Sequence, residues 1–358
     1  MTEGATAIAP TRRAEAARVA VQAAAATLAA LAIGALLVLL AGANPLTGYL
    51  ALVMGAFGSV NSVAEVVVKT TPLLLAGLGI ALAFRAGYWN IGAEGQLYMG
   101  ALAATWVGLN AGAWPAAVAL PAAVAAGFAG GALWGLVPGL LRARLGVSEI
   151  INTIMFNYIA IYLVSWLVTG PLKEEGGFLP QTDLIADPAV LPRLLPPTRL
   201  HAGVLLAVAA AAALYWLMVR STLGFRVRVV GGNPEAARYA GISVNGTWVL
   251  VAAVSGGLAG LAGMSEISGV HQRLLEDVSA GYGYTAIVVA LLGWLHPLGV
   301  VVAAVLFAAL RVGADAMQRA LGIPVALVYI IQALVVLFVL ARGAFGGLGL
   351  RRRRGGAG

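Results

Sequence analysis

The sequence predicts an all-α, polytopic membrane protein with about ten transmembrane helices, inverted repeats and broken or re-entrant segments, and three observations carry that expectation. Apolar residues make up 61% of the 358 and charged residues only 10%, against roughly half and about a quarter in an ordinary globular domain. The few charges lie between long uncharged stretches, so there is too little charge to cover a soluble surface. Glycine-rich, polar-marked segments at residues 87–96 and 281–283 interrupt two of the apolar stretches. Irregular backbone at membrane depth is tolerated only against protein or a water-filled cavity.

Between Arg18 and Glu65 there is no charged residue, and residues 19–43 form a run of 25. At about 1.5 Å per residue this is enough to cross a hydrocarbon core of about 30 Å, and it exceeds the apolar region of a signal peptide. Further spans are expected at 63–84, 95–110, 115–141, 149–170, 200–219, 247–269, 278–295, 298–317 and 322–341. Domain organisation follows: a cytoplasmic tail at 1–18, a transmembrane domain at 19–342 and a basic cytoplasmic tail at 343–358.

Lys and Arg give the orientation. With both termini cytoplasmic, 15 of the 22 cations fall inside, among them Arg12, Arg13, Arg18, Arg85, Arg142, Arg144, Arg220, Arg226, Arg228, Arg238 and the four arginines at 351–354. The formal charge of +8 therefore reads as topology and needs no nucleic acid. The terminal arginines could alternatively bind anionic membrane lipid. The chain has no cysteine, which removes disulfides, thiolate metal sites and a cysteine nucleophile together.

Two hydrophilic stretches stand out. Residues 171–199 make an external loop with six prolines, long enough to be functional or partner-facing. Residues 220–246 lie inside, and there Asn233, Pro234 and Glu235 read as a helix start: an N-cap, a proline at the first helical position and an acid in the first turn. A short surface helix is expected from them.

The parts for catalysis are missing. The two lysines, Lys69 and Lys173, follow no glycine, so there is no P-loop; HExxH and GxSxG are also absent. His201, His271 and His296 are scattered at span ends, where packing is the simpler role than metal ligation. Passage or binding, without cofactor or metal, is what remains.

Residues 84–96, FRAGYWNIGAEGQ, place two amides, an acid and three glycines between apolar stretches. They either line a pathway or form an ordinary cytoplasmic loop with turn residues. The string resembles a segment shared by the permease subunits of ATP-binding-cassette importers of the branched-chain amino acid and simple sugar superfamily, the nucleoside permeases above all. Residues 146–155 (GVSEIINTIM) with Asn157 and Tyr158, residues 222–242 (TLGFRVRVVGGNPEAARYAGI) and residues 281–287 (GYGYTAI) through Gly293 agree as well, so the resemblance runs from about 70 to 340.

The resemblance implies a non-catalytic membrane subunit that alternates its access while ATP is hydrolysed elsewhere. Its partners would be a second permease, two ATPase subunits and an extracytoplasmic substrate-binding protein. The helix over 233–241 would be a coupling element seated in the ATPase, with Gly232, Asn233, Pro234, Glu235, Ala236, Ala237 and Gly241 as its residues; the alternative is an uncommitted loop helix. Substrate-pathway candidates are Trp89, Asn90, Glu94, Gln96, Asn152, Asn157 and Tyr158, with Glu149 beside them. Amides supply paired donors and acceptors and aromatic rings supply stacking faces, which suits a nucleoside. Sugars would use the same amides, and Asn152 and Asn157 could instead bond across helices.

Glu266 either caps its span or belongs to the pathway. Arg311, Asp315 and Arg319 are spaced for a structural ladder, and Gly256 with Gly260 forms a GxxxG expected at a close helix contact. A shift of five crossings relates the spans around the two glycine-rich breaks, so the repeats would be inverted and the breaks would mark a midplane site. The class predicted is an importer subunit for nucleosides in the cytoplasmic membrane, with simple sugars or branched-chain amino acids as the alternative cargo. An ion-coupled secondary transporter is the rival of another class.

Overall fold

A computed structural model describes residues 42–322 without interruption, together with 28, 29, 31–40 and positions 324, 326, 327, 329, 330 and 333. The two tails expected at 1–18 and 343–358, and most of the stretch 322–341, lie outside the described residues. Every regular element described is a helix; only two isolated β-bridges, Gln181 to Leu275 and Arg193 to His201, occur between extended segments.

In chain order the helices are α1 (Leu31–Leu40), α2 (Pro45–Phe57), α3 (Val60–Arg85), α4 (Ala93–Asn110), α5 (Ala116–Leu145), α6 (Glu149–Thr169), α7 (Gly203–Arg220), α8 (Thr222–Gly232), α9 (Pro234–Tyr239), α10 (Val244–Glu266), α11 (Tyr282–Leu292) and α12 (Pro297–Leu321). Six of them are long and apolar enough to cross a membrane: α3, α5, α6, α7, α10 with its continuation to His271, and α12. Counting the α1–α2 pair, bent by 112°, as one span gives seven. Among the described residues, six or seven of the ten expected spans are thus long and apolar enough to cross, and the full ten are not confirmed. The stretch at 95–110 does form a helix, α4, but Glu94, Gln96 and Asn110 lower its hydropathy. The stretch at 278–295 forms only the 11-residue α11, because Ala280 and Gly281 turn the chain through left-handed backbone just before it.

Residues 57–309 form one compact unit. Helix α10 is buried along most of its length, and its GxxxG makes the close contact expected of it. A methyl added at Gly256 would strike the Gly131 carbonyl on α5, and one at Gly260 would strike that of Gly127. Gly100 of α4 approaches Gly260 as closely, so three helices meet on glycine backbone and exchange side-chain volume for dispersion contact. In the second unit, which includes the described residues of 31–56 and 310–321, Val38, Ala314 and Met317 form the core and Gly313 packs against Leu52.

The segment 171–199 is fastened along its length. Ala186 N–H donates to Gly108 O (2.9 Å), Ile185 N–H to Gln272 O (2.8 Å) and Leu191 N–H to Ser268 O (2.8 Å). Arg199 pairs with Glu65 at 2.6 Å. After α10 the helix widens into one π-turn, Ile267–His271, where buried Glu266 meets His271 at 3.4 Å. This contact gives Glu266 a partner near the end of its span.

Candidate functional site: two helix breaks and a surface hairpin

The chain leaves α3 at Arg85 and enters α4 at Ala93 through an irregular turn in which Gly87 adopts φ +69°. That turn leaves backbone donors without helical partners inside the protein, and side chains satisfy them. Asn90 Oδ1 accepts from Gly92 N–H (3.0 Å) and from Gln96 Nε2 (3.0 Å), while Asn90 Nδ2 donates to Gln96 Oε1 (2.9 Å) and Ser255 Oγ (2.8 Å). From α6, Asn157 Oδ1 accepts from Gly95 N–H (2.8 Å) and its Nδ2 donates to Ile91 O (2.9 Å). Gly95 is required here, because a methyl would come within 2.8 Å of Asn157 Cα.

Glu94 faces the other break. Its Oε2 accepts from Gly283 N–H at 2.8 Å, and Ser279 and the Tyr284 backbone also bond to the carboxylate, so the acid sits at the positive N-terminal end of α11. Added bulk at Gly283 would collide with the Glu94 backbone. The starts of two interrupted helices are thus locked together.

Six of the seven predicted pathway residues divide into two groups, and Asn152 stands apart from both. Asn90, Glu94, Gln96 and Asn157 are buried and bonded within this network. Trp89 and Tyr158 are about half exposed, at 46% and 50%. Trp89 packs on Phe84, with ring centroids 4.6 Å apart, and Tyr158 stacks on Tyr162 at 6.4 Å. Asn152 is buried, and its Nδ2 has no hydrogen-bond partner among the described residues. Glu149 pairs with Arg142 at 3.2 Å, and that guanidinium lies 5.0 Å over the ring of Trp248. Sequence reasoning did not single out Tyr162, Trp248, Ser255 or Tyr284. Tyr284 stood inside a quoted motif, whereas Ser255 and Trp248 carried no local signal.

The surface helix forms as its capping residues dictate. Asn233 Oδ1 accepts from Glu235 N–H (2.9 Å) and Ala236 N–H (3.1 Å), and Pro234 opens α9. Glu235, Ala236, Tyr239 and Gly241 are exposed, and Ala237 is buried. Asn233 also ends α8, so the two helices form one hairpin with no slack between them.

Comparison with known proteins decides the family. The model for the permease component of the branched-chain amino acid transport system matches residues 62–340. The chain belongs to that permease family. The permease is 41% identical to a glucose ABC transporter permease protein of Haloferax volcanii, over 89% of this chain and 86% of the relative. It is 40% identical to a guanosine ABC transporter permease protein of Bacillus subtilis, over 86% and 89%, and 34% identical to a nucleoside ABC transporter permease protein of Lactococcus lactis, over 87% of each. No solved structure matches the permease. It is a multi-pass membrane protein of the ABC class, which sets aside the ion-coupled secondary transporter.

Proposed function

We propose that this permease carries nucleosides across the cytoplasmic membrane as the non-catalytic subunit of an ATP-driven importer, with both termini cytoplasmic. It would pair with a second, non-identical permease, two ATPase subunits and an extracytoplasmic binding protein. Gly232, Asn233, Pro234, Glu235, Ala236, Ala237 and Gly241 would form the seat of the ATPase. The exposed Ala236 and Ala240 and the cap at Asn233 support this role.

Within the pathway, Trp89 and Tyr158 would touch the solute, whereas Asn90, Glu94, Gln96, Asn152 and Asn157 would shape the wall behind them. The observation that carries the substrate reading is the aromatic pair on α6. Tyr158 and Tyr162 are exposed and stack with 26° between planes, near the middle of a membrane-length helix. A phenol hydroxyl bare to hydrocarbon is unfavourable, so such a face belongs against a water-filled path or a partner. Flat rings suit a flat base. The relatives named for guanosine and nucleosides agree with this reading, and the relative named for glucose supports sugar as a second one.

Reconstitution of the complete transporter, loaded with labelled guanosine or glucose, tests the substrate. ATP-dependent guanosine uptake that glucose does not compete is the expected result. Glucose uptake without guanosine uptake would overturn it.

A further inference from the structure

The hairpin that would seat the ATPase touches the α3–α4 break directly. Gly231, at the end of α8, packs so closely on the turn that a methyl there would overlap the Arg85 carbonyl oxygen and come within 3.2 Å of the Ala86 carbonyl carbon. From the other side of this contact, a Cβ at Gly87 would lie 3.6 Å from Gly231 Cα. Trp248 of α10 holds the same turn, its Nε1 donating to Ala86 O at 3.1 Å. Its ring is held in turn by Arg142, which is itself paired with Glu149 at the start of α6.

We infer that Gly231 is a positioning residue for coupling: through its backbone contact with Arg85, Ala86 and Gly87, motion of α9 shifts the α3–α4 break and, with it, Asn90 and Glu94. Three features support transmission over mere packing. First, the contact is backbone on backbone, which yields less than side-chain contact does. Second, α8 and α9 share Asn233 as cap, so a displacement of α9 reaches Gly231 over two residues. Third, only three residues separate Ala86 from Asn90, whose amide is fully occupied by Gln96, Ser255 and Gly92. A shift at Ala86 therefore reaches the buried network with little chain to absorb it.

This inference rests on the reading of α9 as the ATPase seat, and the two fail in different ways. The test uses the complete transporter in liposomes and reads ATPase copurification, ATP hydrolysis, and solute moved per ATP. Ala236→Trp tests the seat: loss of ATPase copurification is expected, and retention with full transport would overturn the reading of α9. Gly231→Ala tests transmission: the ATPase subunits still copurify and hydrolyse ATP, while solute moved per ATP falls on the order of tenfold. Gly112→Ala, where a methyl meets nothing within 4 Å, controls for the substitution itself. Solute moved per ATP that matches this control would overturn the inference. Should Gly231→Ala fail to accumulate in the membrane, Trp248→Phe replaces it, keeping the ring under Arg142 while removing the bond to Ala86. A drop of a few fold in solute per ATP then supports the inference, and unchanged coupling overturns it.

Discussion

The two breaks are built alike at their meeting point and differently at their anchors. The first, before α4, is tied down at Arg85, Ala86 and Gly87 by the α8–α9 hairpin and Trp248. The second, before α11, is tied to the segment 171–199 and to α6. Thr182 N–H donates to Leu274 O (3.0 Å) and Leu274 N–H to Thr182 Oγ1 (3.1 Å), Arg273 pairs with Glu174 at 3.0 Å, and Ser165 Oγ donates to Glu276 at 2.7 Å. One anchor belongs to the arginine-rich end and the other to the proline-rich loop. Between them stands one carboxylate, Glu94, bonded to Gly283, Ser279 and Tyr284. A carboxylate caps α11, while neutral amides cap α4, so the α11 end depends on charge and the α4 end on shape.

The largest expected effect comes from breaking the junction. Gly283→Ala forces a methyl into the Glu94 backbone, and uptake is expected to fall at least about tenfold while the protein still reaches the membrane. Glu94→Gln keeps an acceptor but removes the charge that caps α11. A hydrogen bond to a charged group contributes about 1.5–3 kcal/mol, so a partial loss of uptake and a lower melting temperature are expected. At the α4 end, Asn157→Leu strands Gly95 N–H and Ile91 O, at about 1–3 kcal/mol for buried groups, and thermal unfolding in detergent should register it.

Near the second anchor, His201 gives a pH signature. Its ring is buried against Gly269 and accepts from Gly203 N–H at 3.2 Å, and burial lowers its pKa from 6.5 to about 4. Between those values the unfolded chain binds the proton and the folded chain does not. Stability should therefore fall as pH drops from about 6.5 towards 4, on the order of 1 kcal/mol per unit, and His201→Phe should flatten that part of the curve. The smallest effect is expected from Glu174→Gln, because Gln keeps an acceptor for Arg273 and the pair is only part-buried and reached by solvent, worth about 1 kcal/mol. Equal losses for Glu174→Gln and Glu94→Gln would erase the distinction between anchor and junction.

Much of this was legible in the sequence where the signal is local. Asn233, Pro234 and Glu235 specify α9 by capping alone, and the glycines at 87 and 281 specify left-handed turns, which the backbone adopts at both. Span count was less legible, because hydropathy marks an apolar stretch and not whether a left-handed turn such as that at Ala280 shortens its helix. The partners of Asn90 and Glu94 were not legible at all. Ser255 lies 165 residues from Asn90 and Gly283 lies 189 from Glu94, and no local pattern encodes such contacts. For the same reason Gly232 stands among the expected coupling residues and Gly231 does not, although a methyl at Gly232 would meet nothing within 4 Å and one at Gly231 would overlap Arg85.

The central claim is that the two breaks move as one unit between two access states while the partner ATPases turn over. The chain's lack of cysteine allows Trp89→Cys and Tyr284→Cys, both at partly exposed positions, to be labelled singly in the assembled transporter with an impermeant maleimide, with and without ATP. The account predicts that ATP changes the labelling rates of the two positions in opposite senses, and that Glu94→Gln uncouples the two changes. Labelling that ignores ATP at both positions, or that Glu94→Gln leaves unaltered, would contradict it.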